Sequence, residues 1–318
     1  VHKSDRLPLA PGLLSARSRR FLDRDRGKSP CYRPVMISVE RLPATLGATV
    51  RGVRLAQLDD SDWTQIYAAF LEHAILLFPG QHLTADEQAT FGRRFGPFEP
   101  ITANEGLTPI TNLLKDGSLR DPDDPIMHII RGNEGWHTDS SYMPISAKAS
   151  VLSAHIVPTT GGQTEWADMR AAYDSLDPTV QARIEHLSAY HSILYSQRRR
   201  GWDDAPEGAY GYAVKDEPLR PLVKVHPETG RRSLFIGRHA HDIPGIPPEE
   251  SEQLLDELLT FACQPPRTYA HHWQVGDVIV WDNRCVLHRA RPWDLAEPRL
   301  MKHTRIKGDP VTEGVSVA

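Results

Sequence analysis

Turn residues set the strongest limit on how this chain can fold. From Ile37 onward, short apolar or alternating runs at 37–39, 48–53, 74–78, 149–157, 219–226, 232–237, 269–273 and 278–281 are cut off by Gly, Pro, Asn or Asp. Each run is strand length and none is followed by a helix in a repeating β-α-β order. Helical spacing is confined to a few inserts. Trp63, Ile66, Tyr67, Phe70 and Leu71 follow a cap predicted at Asp60-Ser61-Asp62, and Thr84 with Glu87 forms a capping box ahead of Phe91 and Phe95. Residues 168–176, 178–186 and 249–262 complete the set. Many short strands with few helices predict a mainly β chain with inserted helices, an antiparallel double-sheet jelly roll or double-stranded β-helix.

Within that frame, Trp136-His137-Thr138-Asp139-Ser140-Ser141-Tyr142 is the stretch with chemistry in it. On an extended strand His137 and Asp139 project from one face, which offers two ligands to one metal. A third can come from His288, where the apolar run 278–281 passes through a polar turn into Val286-Leu287-His288. Two histidines and one carboxylate bind one face of Fe(II) and leave the other positions open. His-x-Asp alone is a common tripeptide. Its company is more specific: Thr164 follows His137 by 27 residues and Arg299 follows His288 by 11.

These residues resemble the TauD/TfdA family of Fe(II)- and 2-oxoglutarate-dependent dioxygenases, and within it the aryloxyalkanoate group acting on (S)-phenoxypropionate and dichlorophenoxyacetate. The likeness covers roughly residues 36–318 and is carried by Leu77-Phe78-Pro79-Gly80-Gln81, Trp136 to Tyr142, Ala167-Asp168-Met169-Arg170, Ile236-Gly237-Arg238-His239 and Trp281 to Ala290. It implies a jelly roll of the 2-oxoglutarate dioxygenase type, with Fe(II) on His137, Asp139 and His288. It also implies O2 and 2-oxoglutarate as co-substrates, the distal carboxylate of 2-oxoglutarate resting on Arg299 and Thr164. Trp281 matches a cofactor-contact position and is equally readable as a core aromatic. The reaction implied is hydroxylation beside an ether oxygen, after which the hemiacetal collapses to a phenol and an oxo acid, with release of succinate and CO2.

For the substrate, the resemblance points to a small anionic molecule. In taurine-type members the position four beyond the 2-oxoglutarate arginine is a second arginine that grips a sulfonate; here it is His303, as in phenoxypropionate-type members. His303 and Arg305 on the same strand face are therefore candidate substrate contacts, and Asn133, four before His137, is a third because it matches a substrate-pocket position of the family. An alkyl sulfate or sulfonate dioxygenase is the alternative enzyme, and a non-catalytic sensor of metal or 2-oxoglutarate the alternative from another class. His239, His241, His271 and His272 form a competing set for a metal, without a carboxylate or cysteine at characteristic spacing.

The remaining features narrow the setting. A net charge of −4 gives no basic field for nucleic acid or an anionic membrane. Cys31, Cys263 and Cys285 are too few for a disulfide framework or a zinc cluster, which fits a reducing cytoplasm. No apolar run is long enough to span a membrane. Residues 1–35 hold nine Lys and Arg against three Asp and no apolar leader core, and read as a solvated basic tail with Met36 as the expected native start. Residues 36–318 read as one dioxygenase domain, and association into a homo-oligomer is common in the family. The Pro-, Gly-, Asn- and Asp-rich stretch between Gly96 and Arg131, with one short strand around 109–112, is expected to be a lid, and the basic stretch 198–211 either a solvated loop or a second lid presenting arginine.

Overall fold

The structure, a computed structural model, describes residues 36–101, 107–202, 210–212, 214 and 216–315; the basic stretch 1–35 lies outside the described residues. Its elements run β1 (Ser38–Arg41), β2 (Ala48–Arg51), α1 (Asp60–His73), β3 (Ile75–Phe78), α2 (Ala85–Arg93), β4 (Leu107–Thr111), α3 (Pro125–Gly132), β5 (Ala147–Ile156), β6 (Thr164–Asp168), α4 (Met169–Asp174) and α5 (Pro178–Ile184). They continue with β7 (Ser188–His191), α6 (Ile193–Arg198), β8 (Leu219–Pro221), β9 (Val223–Val225), β10 (Arg232–Leu234), β11 (Ala240–His241), α7 (Pro248–Ala262), β12 (Thr268–His271), β13 (Val278–Asp282), β14 (Val286–Ala290), β15 (Leu300–Lys307) and α8 (Pro310–Glu313).

Seven strands make the major sheet in the order β1-β2-β3-β13-β5-β15-β4, and only β2 and β3 run parallel. Facing it is a minor antiparallel sheet, β12-β6-β14. The alternation along the central strands explains the two layers. Ile75, Leu77, Ile279, Trp281 and Met301 point inward and meet Trp166 and Val286 of the minor sheet. Leu76, Phe78, Val278 and Val280 point the other way, where Phe70 of α1, Phe91 of α2 and Phe95 just past α2 cover them. With both faces buried, these strands read as unbroken apolar runs. This is the jelly roll expected from the sequence.

Thr84 caps α2 reciprocally with Glu87, as the sequence predicts. Thr84→Ala is expected to lower stability by about 1 kcal/mol, seen as a small drop in thermal midpoint; an unchanged midpoint would mean that the cap carries no weight. The cap of α1 is Asp59, one residue ahead of the predicted Asp60-Ser61-Asp62, because its carboxylate accepts from Asp62 N at 2.8 Å. The run 219–226 is two strands. At buried Leu222 the chain leaves its pairing with β7 and begins pairing with β10, so Leu222 bonds Leu187 and Phe235 between the two sheets.

Within the first expected lid, the short strand expected around 109–112 is β4, and a helix not expected there follows it; residues 102–106 lie outside the described residues. β4 adds to the edge of the major sheet beside β15, and Asp124-Pro125 opens helix α3, with the Asp124 side chain accepting from Ile126 N. Pro at the first helical position is a start signal as well as a breaker. Among the described residues no helix is long and apolar enough to cross a membrane.

Candidate active site

The site lies between the two sheets, where β14, the end of β13 and β15 converge on the segment that carries His137 and Asp139. That segment is not the regular strand expected. His137 makes a single two-bond bridge with His288 (N–O distances 3.0 and 2.8 Å), and the chain then turns, with Ser140 at φ 57°. Bridge and turn together, rather than strand alternation, aim the two side chains at one point. One donor atom each from His137, Asp139 and His288 lies within 4.8 Å of the others, a group that can hold a metal.

The donor chemistry fits that use. Nδ1–H of His137 donates to Gly135 O at 2.8 Å, which leaves the Nε2 lone pair facing the group. Burial pushes the pKa of His137 down to about 4 and that of His288 well below its ordinary value, so both rings are neutral near pH 7. Burial alone would raise Asp139, but the Arg305 guanidinium, 3.0 Å from Oδ1, holds its carboxyl well below the usual range. Neutral imidazoles and an ionised carboxylate are the forms that bind a divalent cation.

The same shifts make a pH prediction. His137 takes up a proton in the unfolded chain near pH 6.5 and in the folded chain only near 4, so its contribution to stability is full above 6.5 and is lost as pH falls toward 4. Buried His191 and His239 shift the same way. Denaturant titration of metal-free protein at pH 5 is expected to show a loss of about 2 kcal/mol from His137 alone relative to pH 7; equal stability at the two values would contradict it.

Asp139 is held by more than Arg305. Ser150 on β5 donates to Oδ2 at 2.6 Å, and Asn283 Nδ2 donates to the Ser150 hydroxyl at 2.9 Å, so the serine proton can only point at the carboxylate. Trp281 donates its indole N–H to Asn283 Oδ1 at 2.9 Å and stacks on His303 at 5.6 Å. Its polar handle therefore supports the Asp139 network, while its ring walls the site.

Beside the group is a small lobe of about 60 Å3 bordered by Thr164, Trp281, Trp293 and Arg299. Arg299 is 3% exposed, yet no carboxylate lies within ion-pair distance of it among the described residues, and its Nε has no partner. Burial pulls its pKa down to about 10. Its other contacts are Gly162 O, 3.3 Å from Nη2, and the face of Trp293. Gly161 and Gly162 both take positive φ, and a Cβ on Gly162 would stand 3.3 Å from Arg299 Nε. The glycine pair thus makes room for a guanidinium that no carboxylate neutralises among the described residues. Such a group fits a carboxylate.

The sequence profile of the taurine catabolism dioxygenase TauD, TfdA family matches residues 38–305. The chain belongs to this family. It is 56% identical to an (S)-phenoxypropionate/alpha-ketoglutarate-dioxygenase of Sphingobium herbicidovorans, over 86% of this chain and 95% of the relative. It is 41% identical to an alpha-ketoglutarate-dependent 2,4-dichlorophenoxyacetate dioxygenase of Cupriavidus pinatubonensis, over 76% and 86% of the two chains. Its fold superposes on the crystal structure of AAD-2 in complex with Mn(II) and N-oxalylglycine with a TM-score of 0.82 at 36% identity, covering 89% of this chain and 100% of that one. As a TauD/TfdA dioxygenase, the chain uses Fe(II), 2-oxoglutarate and O2.

In this TauD/TfdA chain a second, larger lobe of about 260 Å3 opens from the first. Ile110, Ile126, Ile129, Ile130 and Ile193 make it apolar, and Asn133 and His303 border both lobes. Asn133 caps the end of α3, and His303 Nε2 lies 3.6 Å from Asp139 Oδ2. Two arginines reach the larger lobe, and their surroundings differ. Arg305 faces two carboxylates, Asp139 and Glu99 (3.7 Å), and also donates to the Ser140 hydroxyl. Arg238 has no carboxylate within ion-pair distance among the described residues. It donates to Ser196 Oγ and Gln197 Oε1, its Nε is unpartnered, and burial lowers its pKa to about 10. A Cβ on Gly135 would stand 2.9 Å from Arg238 Cδ, so that glycine admits the side chain.

Arg238, Ser150, Asn283 and Glu99 are absent from the sequence-derived set. Ser150 is a polar residue within an apolar strand and Asn283 lies in the polar turn after one, a faint signal, and Arg238 gives none without its surroundings. At the end of the 198–211 stretch Tyr210, with Tyr212 beyond it, borders the larger lobe. Arg199 pairs with Glu252 and Asp256 and Arg200 with Glu134, whereas Tyr210 donates to Glu99 at 2.9 Å and Tyr212 accepts from Gln197; residues 203–209 lie outside the described residues.

The competing histidines do not assemble. His241 sits between Asp242 and Glu217, His239 bonds Ser196, His271 bonds Asp277 and His272 bonds Gln163. His226, Asp282 and Cys285 do lie together. However, His226 Nδ1 accepts from the amides of Glu228 and Thr229, its Nε2–H donates to Asp282, and Arg284 takes both Asp282 oxygens. Both ring nitrogens and both carboxylate oxygens are thus taken, and burial pushes the Cys285 thiol up, which disfavours the thiolate an ion would need.

Proposed function

We propose that this dioxygenase cleaves the ether of an aryloxyalkanoate, with (S)-2-phenoxypropionate as the type of substrate, to a phenol and a 2-oxo acid. The observation that carries the reading is the unpaired Arg238 beside an isoleucine-lined lobe: one carboxylate anchor and an apolar bed for an aryl ring. The identity to the phenoxypropionate-type relative supports it. His137, Asp139 and His288 are assigned to Fe(II), and Arg299 with Thr164 to the distal carboxylate of 2-oxoglutarate. Arg305, already committed to Asp139 and Glu99, positions the carboxylate ligand, and Arg238 meets the substrate carboxylate. Asn133 and His303 flank the junction of the two lobes, where the reacting carbon must lie.

Fe(II) with 2-oxoglutarate and O2 supplies the oxidising chemistry, placing one oxygen atom in succinate as CO2 leaves and the other in the substrate C–H bond. The protein's own part is placement. Trp281, Ile110 and Ile130 keep the junction apolar, and the substrate is held so that the carbon bearing the ether oxygen faces the metal group. The resulting hemiketal expels phenolate without a general base, and a 2-phenoxypropionate leaves pyruvate. We place the enzyme in the cytoplasm, where the free thiols of Cys263 and Cys285 stay reduced.

The test is succinate release with phenoxyacetate, both enantiomers of 2-phenoxypropionate, taurine and an alkyl sulfate. Stimulation by an aryloxyalkanoate is expected; stimulation by taurine or the sulfate alone would overturn the substrate class. Arg238→Gln is expected to raise KM for the aryloxyalkanoate by about 10- to 100-fold, the cost of one charged hydrogen-bonding partner, and to leave KM for 2-oxoglutarate unchanged.

A further inference from the structure

The Thr164 hydroxyl is held from behind. Trp273, two residues past the end of β12, donates its indole N–H to Thr164 Oγ1 at 3.0 Å, and Trp273 does not border the small lobe into which Thr164 faces. An indole N–H can only donate, so the threonine oxygen must accept. No protein group takes the Thr164 proton among the described residues, and Thr164 is 4% exposed and borders the lobe that contains Arg299. Backbone pairing fixes the arrangement: Thr164 is opposite His271 on β12 and Ala290 on β14, so it is pinned on both sides.

We propose that Trp273 is a positioning residue for 2-oxoglutarate: its N–H commits the Thr164 hydroxyl to donate toward the distal carboxylate that Arg299 faces. The inference rests on the placement of that carboxylate proposed above. Without the indole N–H, the Thr164 oxygen is free to rotate and its proton is no longer aimed by elimination. Accepting a bond also polarises the hydroxyl and strengthens the one it donates. Trp273 also packs against His271 and Trp166, with centroids 4.8 and 6.5 Å away. Trp273→Phe keeps much of that packing and removes only the donor.

The experiment is calorimetric binding of 2-oxoglutarate to anaerobic Fe(II)-loaded protein, with 2-oxobutyrate, which lacks the distal carboxylate, as the parallel ligand. Trp273→Phe is expected to weaken 2-oxoglutarate about five- to tenfold and to leave 2-oxobutyrate within about twofold. Thr164→Val should weaken 2-oxoglutarate similarly, and adding Trp273→Phe to it should cost less than about twofold more. Thr164→Ser, which keeps the hydroxyl, should bind like the native protein and remain sensitive to Trp273→Phe.

Equal weakening of both ligands by Trp273→Phe, or an undiminished effect in the Thr164→Val background, would make Trp273 a packing residue only. Should Trp273→Phe not fold, native-like binding by Thr164→Val would by itself overturn the inference. If Thr164→Val and Arg299→Gln both bind 2-oxoglutarate normally, the placement of the carboxylate fails. If both bind it weakly while Trp273→Phe does not, only the role of Trp273 fails.

Discussion

Asp139→Ala is expected to abolish succinate formation, with a fall of about three orders of magnitude or more, and to weaken Fe(II) binding in the same protein. The loss combines one of three metal donors with the charge that neutralises buried Arg305. Each term is worth several kcal/mol, and each 1.4 kcal/mol is a factor of ten. Ser150→Ala keeps the carboxylate and removes the 2.6 Å bond that steers it together with the acceptor of Asn283 Nδ2, so its expected cost is smaller, roughly 10- to 100-fold in metal affinity. Measuring Fe(II) affinity and turnover on both variants separates ligand from support. Asp139→Ala retaining native Fe(II) affinity would remove it from the metal group.

Arg299→Gln has the second largest expected effect: KM for 2-oxoglutarate rises roughly 100-fold, from about 3 kcal/mol lost when one partner of a buried charge pair is removed. The guanidinium has no carboxylate of its own to fall back on among the described residues, and its burial already disfavours the charge. Arg299→Lys is expected to recover only part of the loss, because an ammonium cannot make two parallel bonds to a carboxylate. KM for 2-oxobutyrate should be indifferent to both variants. A comparable rise for that ligand would place Arg299 away from the distal carboxylate.

Much of this architecture is legible in the sequence because it rests on local signals. Turn residues and apolar alternation mark the strands, and Thr84 with Glu87 marks α2. His137, Asp139 and His288 are visible through residue type and spacing, and the structure brings them together, although by a bridge and a turn instead of a strand. What stays hidden depends on partners distant in sequence. Arg305 and Arg238 are equivalent as letters. One meets Asp139 and Glu99 and the other meets no carboxylate among the described residues, and only the fold separates them. Helix α3 was masked by composition: its Asp124-Pro125 start sits in a stretch whose Pro, Gly and Asp content reads as loop. The Trp281–Asn283–Ser150–Asp139 chain joins β13, β5 and the segment that carries Asp139, a relay that no single-strand pattern encodes.

The most direct measurement is the joint yield of phenol and succinate from (S)-2-phenoxypropionate in one reaction, with Fe(II), 2-oxoglutarate and air. Equal amounts of phenol and succinate, both lost on omitting iron or oxygen, are the predicted result. Succinate without phenol, or no dependence of succinate on the aryloxyalkanoate, would contradict ether cleavage as the reaction of this site.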